Sequence, residues 1–83
     1  MITVEQAREM SDKVAKGIID KEVQKIEKFI KRAAKKGRYS IVYECEECYC
    51  VRVTIQDMLR ELGYRAHADS FYPEIKIIWS KNA

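Results

Sequence analysis

A proline-free stretch from Thr3 to Lys36 constrains the fold of this chain more than any other feature. Its apolar residues recur at intervals of three and four, the spacing that places them on one face of an α-helix. Such a helix would be about 50 Å long, whereas a compact domain of this size has a radius of gyration of about 12 Å. We therefore expect the helix either to break at Gly17 or to present part of its length to another molecule.

The apolar residues of this stretch form two stripes, out of phase by about one residue or 100° of helix rotation. The first stripe, on residues before and just after Gly17, consists of Val4, Ala7, Val14 and Ile18. The second stripe consists of Ile19, Val23, Ile26, Ile30 and Ala33. One interpretation is a single long helix that tolerates the glycine. The other is that the second stripe packs on the sheet of the same domain while the first mediates self-association.

Cap residues mark the ends of this helix. Thr3 with Gln6 three residues later predicts a capping box, in which each side chain accepts a hydrogen bond from the other residue's backbone N–H. Lys35 and Lys36 place cations over the C-terminal carbonyls, and Gly37 is free to adopt the left-handed conformation that ends a helix. We expect the helix to span residues 3–36.

The rest of the chain predicts a β-α-β-β unit over residues 38–80. Alternating β-branched and aromatic residues predict a strand over 39–45. Helical spacing predicts a second helix over 48–62, or from Thr54 onward if Thr54 and Asp57 form its capping box. A hairpin follows, with strands over 64–69 and 74–80.

These elements predict one α+β domain over residues 1–83. The last strand is the most hydrophobic, with Ile75, Ile77 and Trp79 on one face, so we place it in the middle of the sheet and Trp79 in the core. The expected architecture is a three-stranded antiparallel sheet of order 1-3-2 with both helices on one face.

Composition and charge narrow the class of protein. Hydrophobic residues make up 47% of the chain and charged residues 35%, which excludes a disordered chain. No apolar run approaches the roughly 20 residues of a membrane-spanning helix, and acids stand where a signal peptide would be apolar. We expect a cytoplasmic protein. Residues 3–36 hold ten Lys/Arg against six Asp/Glu, and residues 39–83 hold five against seven, so the basic character belongs to the helix.

The helix carries a basic ridge roughly opposite its second stripe. The ridge consists of Lys21, Lys25, Lys28, Arg32 and Lys35. A row of cations about 21 Å long matches a phosphate backbone or an acidic protein patch. A solvated helix face is the alternative, because the cations are mostly lysine and no aromatic residue interleaves them.

Three cysteines lie within six residues, an odd number that argues against a secreted disulfide framework. Cys45, Cys48 and Cys50, with His67 from the next strand, have the ligand types of a three-sulfur, one-nitrogen zinc site. The other interpretations are unligated thiols, one or two of them buried as small apolar residues, and a Cys48/Cys50 redox pair. Nearby glutamates disfavour a reactive thiolate.

The predicted hairpin has two aromatic residues at its tip. Phe71 and Tyr72 stand beside Pro73, and aromatic side chains are frequent anchors of protein interfaces. We expect them to contact a partner, unless the loop folds back over the edge of the sheet.

The chain resembles the small α/β proteins of unknown activity that tailed phages and prophages encode. The resemblance lies in the end of the charged helix at residues 33–37, the turn into a strand at 62–66 and the closing strand at 75–79; the cysteine cluster departs from it. It implies a phage accessory role in the host cytoplasm, such as interference with a host enzyme or defence system. It brings no catalytic residues and no cofactor.

No catalytic pattern stands out in the sequence. We therefore expect a non-enzymatic module that binds a protein partner and forms a homo-oligomer through its long helix. A nucleic-acid-binding module and a zinc-stabilised module are the alternatives.

Overall fold

The computed structural model describes residues 1–80, so the last three residues of the expected domain lie outside it. The chain forms α1 (Val4–Lys35), β1 (Ser40–Glu44), α2 (Tyr49–Glu61), β2 (Arg65–Ala68) and β3 (Glu74–Ile78). The predicted order of elements and the α+β class are confirmed.

Helix α1 continues through Gly17 without a break. Its predicted capping box is present: Thr3 N–H donates to Gln6 Oε1 at 3.0 Å, and Gln6 N–H donates to Thr3 Oγ1 at 3.2 Å. After the helix, Gly37 adopts a positive φ of 78°, a conformation that glycine reaches without steric penalty. The unbroken helix makes the molecule elongated, 54 × 23 × 21 Å.

The sheet has the order β1-β3-β2 with both neighbouring pairs antiparallel, as predicted. Ile77 stands between Ile41 and Ala66, and Ile75 stands between Tyr43 and Ala68. Because side chains alternate along a strand, all six lie on one face. This inner face supplies most of the core.

Both helices pack on the inner face. Helix α1 contacts β1, and α2 contacts β2 and β3. The second stripe of α1 faces the core, with Ile26 fully buried, and α2 contributes Val51, Ile55 and Leu59. Trp79 packs against the core from its margin, where its ring meets the Tyr64 ring edge-on at 6.3 Å.

The alternative start of α2 at Thr54 is wrong. The helix begins five residues earlier, at Tyr49, with Cys48 as its N-cap residue. Thr54 therefore lies within the helix, and its hydroxyl donates to the Cys50 carbonyl at 2.9 Å, the back-bond that threonine makes inside a helix.

Two residues of α2 provide a test of where the core lies. Ile55 is fully buried and Met58, three residues later, is exposed. We expect Ile55→Ala to lower the free energy of unfolding by about 2–5 kcal/mol because it leaves a cavity. Met58→Ala should change it by less than about 1 kcal/mol. Urea unfolding followed by circular dichroism measures both; equal losses would contradict this core.

Candidate interaction surfaces

The first half of α1 projects beyond the rest of the molecule. Val4 is 68% exposed and Val14 is 64% exposed, and Ala7 lies between them on the same side of the helix. Ile18 is half-buried because it contacts the core. The first stripe therefore has exposed valines at both Val4 and Val14, with partly buried Ala7 between them, and it reaches the core at Ile18.

The first half of α1 projects past one end of the sheet. The loop with Phe71 and Tyr72, the predicted partner contacts, lies at the same end. Tyr43, near the end of β1, donates its hydroxyl hydrogen bond to Glu22 in the middle of α1. Cys45 N–H, just beyond β1, donates to the Pro73 carbonyl at 2.8 Å. The loop before β3 thus lies at the end of the sheet from which the first half of α1 extends.

An aspartate holds that loop in shape. Asp69 Oδ1 accepts hydrogen bonds from Phe71 N–H at 2.7 Å and from Tyr72 N–H at 2.9 Å, and these bonds hold the pKa of Asp69 below its usual value. Phe71 is 91% exposed and Tyr72 is also exposed. The alternative in which this loop folds back over the sheet edge is wrong, because both rings are exposed.

A buried arginine, which sequence reasoning missed, ties the same end together. Arg52 on α2 donates to the Glu47 carbonyl at 2.5 Å and to the Asp69 carbonyl at 3.2 Å. Its guanidinium also lies 5.5 Å from the centre of the Tyr49 ring. These contacts join both loops at this end to the first turn of α2, and they give Arg52 a structural role.

The structure does not assemble the proposed zinc ligands. Cys48 and Cys50 form a disulfide at the start of α2, with Cα atoms 5.4 Å apart, so the expectation of reduced thiols is wrong for this pair. Cys45 is buried in the core, whereas His67 is exposed on the outer face of β2. Within residues 1–80 no three His, Cys, Asp or Glu side chains form a metal-binding group.

A polar cluster joins α1 to β1. Tyr43 Oη donates to Glu22 Oε2 at 2.5 Å, and Lys25 Nζ lies 3.7 Å from Glu22 Oε1. Burial and the neighbouring Glu22 carboxylate raise the pKa of Tyr43. Burial is also the main cause of the raised pKa of the Cys45 thiol. The thiol therefore stays protonated and shielded, which makes it a poor nucleophile.

The basic ridge lies exposed along α1. Lys25 is held by Glu22, and the Arg32 guanidinium lies 5.9 Å from the centre of the Phe29 ring. Lys21, Lys28 and Lys35 make no ion pair within residues 1–80. Phe29 is half-exposed beside the ridge and stacks at a tilt on Tyr43, with 5.7 Å between ring centres. An aromatic residue therefore flanks the ridge, which the sequence pattern did not indicate.

The two edges of the sheet differ in a way that the sequence did not reveal. At the β2 edge, Gln56 Oε1 accepts from Ala68 N–H at 2.9 Å, and Arg60 Nε donates to the Ala66 carbonyl at 3.0 Å. Side chains of α2 thus cap the outward backbone groups of β2. The β1 edge has no such cap from any residue in 1–80.

A groove of about 740 Å³ runs along the β1 edge. All five residues of β1 line it, together with Lys25 and Phe29 from α1 and Arg38 from the turn between them. Its volume lies in the range of ligand-binding clefts. The groove combines the aromatic side chains of Phe29 and Tyr43, the cations of Lys25 and Arg38, the carboxylate of Glu44 and an unpaired strand edge.

Comparison with protein-family models, curated proteins and solved structures finds no match for this chain. No helix within residues 1–80 is long and apolar enough to cross a membrane. Function must therefore be inferred from the surfaces themselves.

The Tyr43–Glu22 contact gives a pH-dependent test. We expect Tyr43→Phe to lower the free energy of unfolding at pH 7 by about 1–3 kcal/mol, because a hydrogen bond to a partly buried carboxylate is lost. The raised pKa of Tyr43 keeps the folded hydroxyl protonated where the unfolded one ionises, at about pH 10. The stabilisation is complete below that pH and declines above it. Wild type and Tyr43→Phe should therefore converge above about pH 10.

Exposed Tyr39 supplies the control for this experiment. Tyr39→Phe should change the free energy of unfolding by less than about 0.5 kcal/mol at pH 7 and at pH 11. A constant difference between wild type and Tyr43→Phe from pH 7 to pH 11 would refute the assigned contact.

Proposed function

We propose that this protein is a non-enzymatic interaction module that forms a homo-oligomer through the projecting half of α1. The single observation that carries the proposal is the exposure of the first stripe at Val4 and Val14, which no other element within residues 1–80 covers. Burial of one exposed valine against a second helix contributes about 1–2 kcal/mol. Two copies would bury the stripe twice.

The spacing of the stripe favours a second helix as the neighbour. Val4, Ala7, Ser11, Val14 and Ile18 follow one another at alternating steps of three and four. This heptad spacing is the pattern by which helices pair along a common seam. A second copy of α1 offers the same seam.

Charge favours the same occupant. Residues 3–17 carry three acids and three bases, whereas residues 18–36 carry three acids and seven bases. The neutral half can lie against a copy of itself without repulsion, and an antiparallel arrangement keeps the two basic halves apart.

A protein partner is the second part of the proposal. The exposed Phe71 and Tyr72 form its contact, because an ordered turn already fixes their backbone and so lowers the entropic cost of binding through them. The resemblance to small phage proteins supports an accessory role, in which the module interferes with a host enzyme or defence system.

Self-association predicts a specific effect of one charge. Val14→Glu places a carboxylate in the seam, so we expect the weight-average mass to fall to that of one chain at concentrations where wild type is larger. Gln24→Glu adds the same charge on an exposed site outside the seam and should keep the wild-type mass. Sedimentation equilibrium measures both. A wild-type protein that stays monomeric at high micromolar concentration would contradict the proposal.

Nucleic-acid binding is the second candidate function, and the three unpaired lysines of the ridge favour it. It predicts that affinity for duplex DNA falls steeply with salt, because each phosphate contact releases a counterion. Combined reversal of Lys25, Lys28 and Arg32 to glutamate should reduce the salt slope by about three. Fluorescence anisotropy measures it, and binding unaffected by the triple reversal would exclude the ridge as the site.

A further inference from the structure

We infer that the groove between α1 and the free edge of β1 binds an extended acidic peptide, which adds to the sheet as a fourth strand. This inference rests on the interaction-module part of the proposed function and uses a different surface from the first stripe.

The backbone of β1 presents unused hydrogen-bonding groups to the groove. Trp79 N–H donates to the Tyr39 carbonyl at 2.9 Å, and Cys45 N–H donates to the Pro73 carbonyl. Odd-numbered residues of this segment therefore bond towards β3, and alternate residues of an antiparallel strand face the other way. The N–H and C=O groups of Ser40, Val42 and Glu44 point outward into the groove.

The contrast with β2 makes this edge distinctive. Free edges attract other strands, and proteins normally cover them. Gln56 and Arg60 cover the β2 edge, whereas no side chain within residues 1–80 covers β1. An added strand can therefore pair with β1. There Ser40, Val42 and Glu44 each offer a backbone N–H donor and a C=O acceptor.

The walls of the groove define the side chains of the occupant. A strand paired with β1 continues the sheet, so alternate side chains would point to the helix side, where Phe29 and Lys25 line the groove. Lys25 attracts acidic side chains on that side, and Arg38 adds a second cation to the groove. Glu44, the one carboxylate among the lining residues, belongs with Ser40 and Val42 to the outer face of β1. The preferred peptide alternates acidic residues on the helix side with apolar residues on the outer face, beside exposed Val42, over about five positions, the length of β1.

Charge argues against a second copy at this edge. Pairing of β1 with β1 of another copy would bring two basic ridges towards each other, since Lys25 belongs to both the ridge and the groove wall. Like charges at an interface oppose association. An acidic peptide instead neutralises them.

A defined probe tests the inference. We propose a fluorescein-labelled, end-blocked nonapeptide of alternating glutamate and valine, titrated with the full chain and followed by anisotropy. Binding should weaken as salt rises, and the matched peptide with lysine in place of glutamate should bind at least about tenfold more weakly. Failure of the acidic probe to bind, or equal binding of both probes, would overturn the inference.

One substitution separates strand pairing from simple charge attraction. Val42→Pro removes an outward N–H that takes no part in the β1–β3 ladder, and proline is tolerated at edge positions of this kind. We expect it to weaken probe binding by about tenfold or more while the far-ultraviolet circular dichroism stays unchanged. The matched Val42→Thr keeps the backbone group and should bind as wild type does.

The peptide itself supplies a second measurement should Val42→Pro fail to fold. One probe is N-methylated at every valine and the other at every glutamate, so each loses the donors that face one side of a strand. One of the two should bind at least about tenfold more weakly than the other. Equal affinities would exclude strand addition.

The outcomes also separate this inference from the proposed self-association. Val14→Glu should abolish the oligomer and keep probe binding. Val42→Pro should keep the oligomer and weaken probe binding. If Val42→Pro abolishes the oligomer, a second copy occupies the edge and the peptide assignment is wrong. Single-stranded DNA provides a further test. If it binds, if the probe blocks its binding and if Val42→Pro leaves its binding unchanged, the groove is a nucleic-acid site and the peptide assignment is wrong.

Discussion

A mismatch in length between α1 and the sheet governs the rest of this structure. The helix has 32 residues, whereas the strands have four or five. At about 1.5 Å per helical residue and 3.4 Å per strand residue, the helix is roughly three times as long as the sheet it packs on. Only its second half can be covered within one copy. Before Ile18, the first half is therefore left to meet solvent or another molecule.

The covered half shows how a small core accommodates polar groups. Glu22 reaches the boundary between α1 and β1, where the Tyr43 hydroxyl and the Lys25 ammonium group both contact it. A carboxylate taken out of water loses free energy unless such partners replace the water. The cluster links helix and strand, and two residues that contact it, Lys25 and Phe29, also line the groove at the β1 edge. Core packing and the shape of the groove thus depend on the same contacts.

The molecule carries two separate candidate interaction surfaces with different chemistry. The first stripe of α1 is a helical seam on a neutral segment, and the β1 groove is an unpaired strand edge beside a basic ridge. A helix suits the former and an extended acidic chain the latter, so self-association and peptide binding can occur together. The aromatic loop lies at the end of the sheet from which α1 projects, close to where a second copy would pass.

The sequence by itself determined the local features. Apolar residues at steps of three and four predicted α1 and its two stripes, the Thr3–Gln6 pair predicted its start, and the hydrophobic last strand predicted the central position of β3. Each of these depends on neighbours within a few residues or on overall hydrophobicity. Only the tertiary structure decided that the loop before β3 stays clear of the sheet edge and exposes Phe71 and Tyr72, that Cys45 and His67 lie apart, and that α2 covers one sheet edge but not the other. Those outcomes depend on where separate elements meet, because a side chain such as Gln56 or Arg60 caps a strand only after helix and strand have packed.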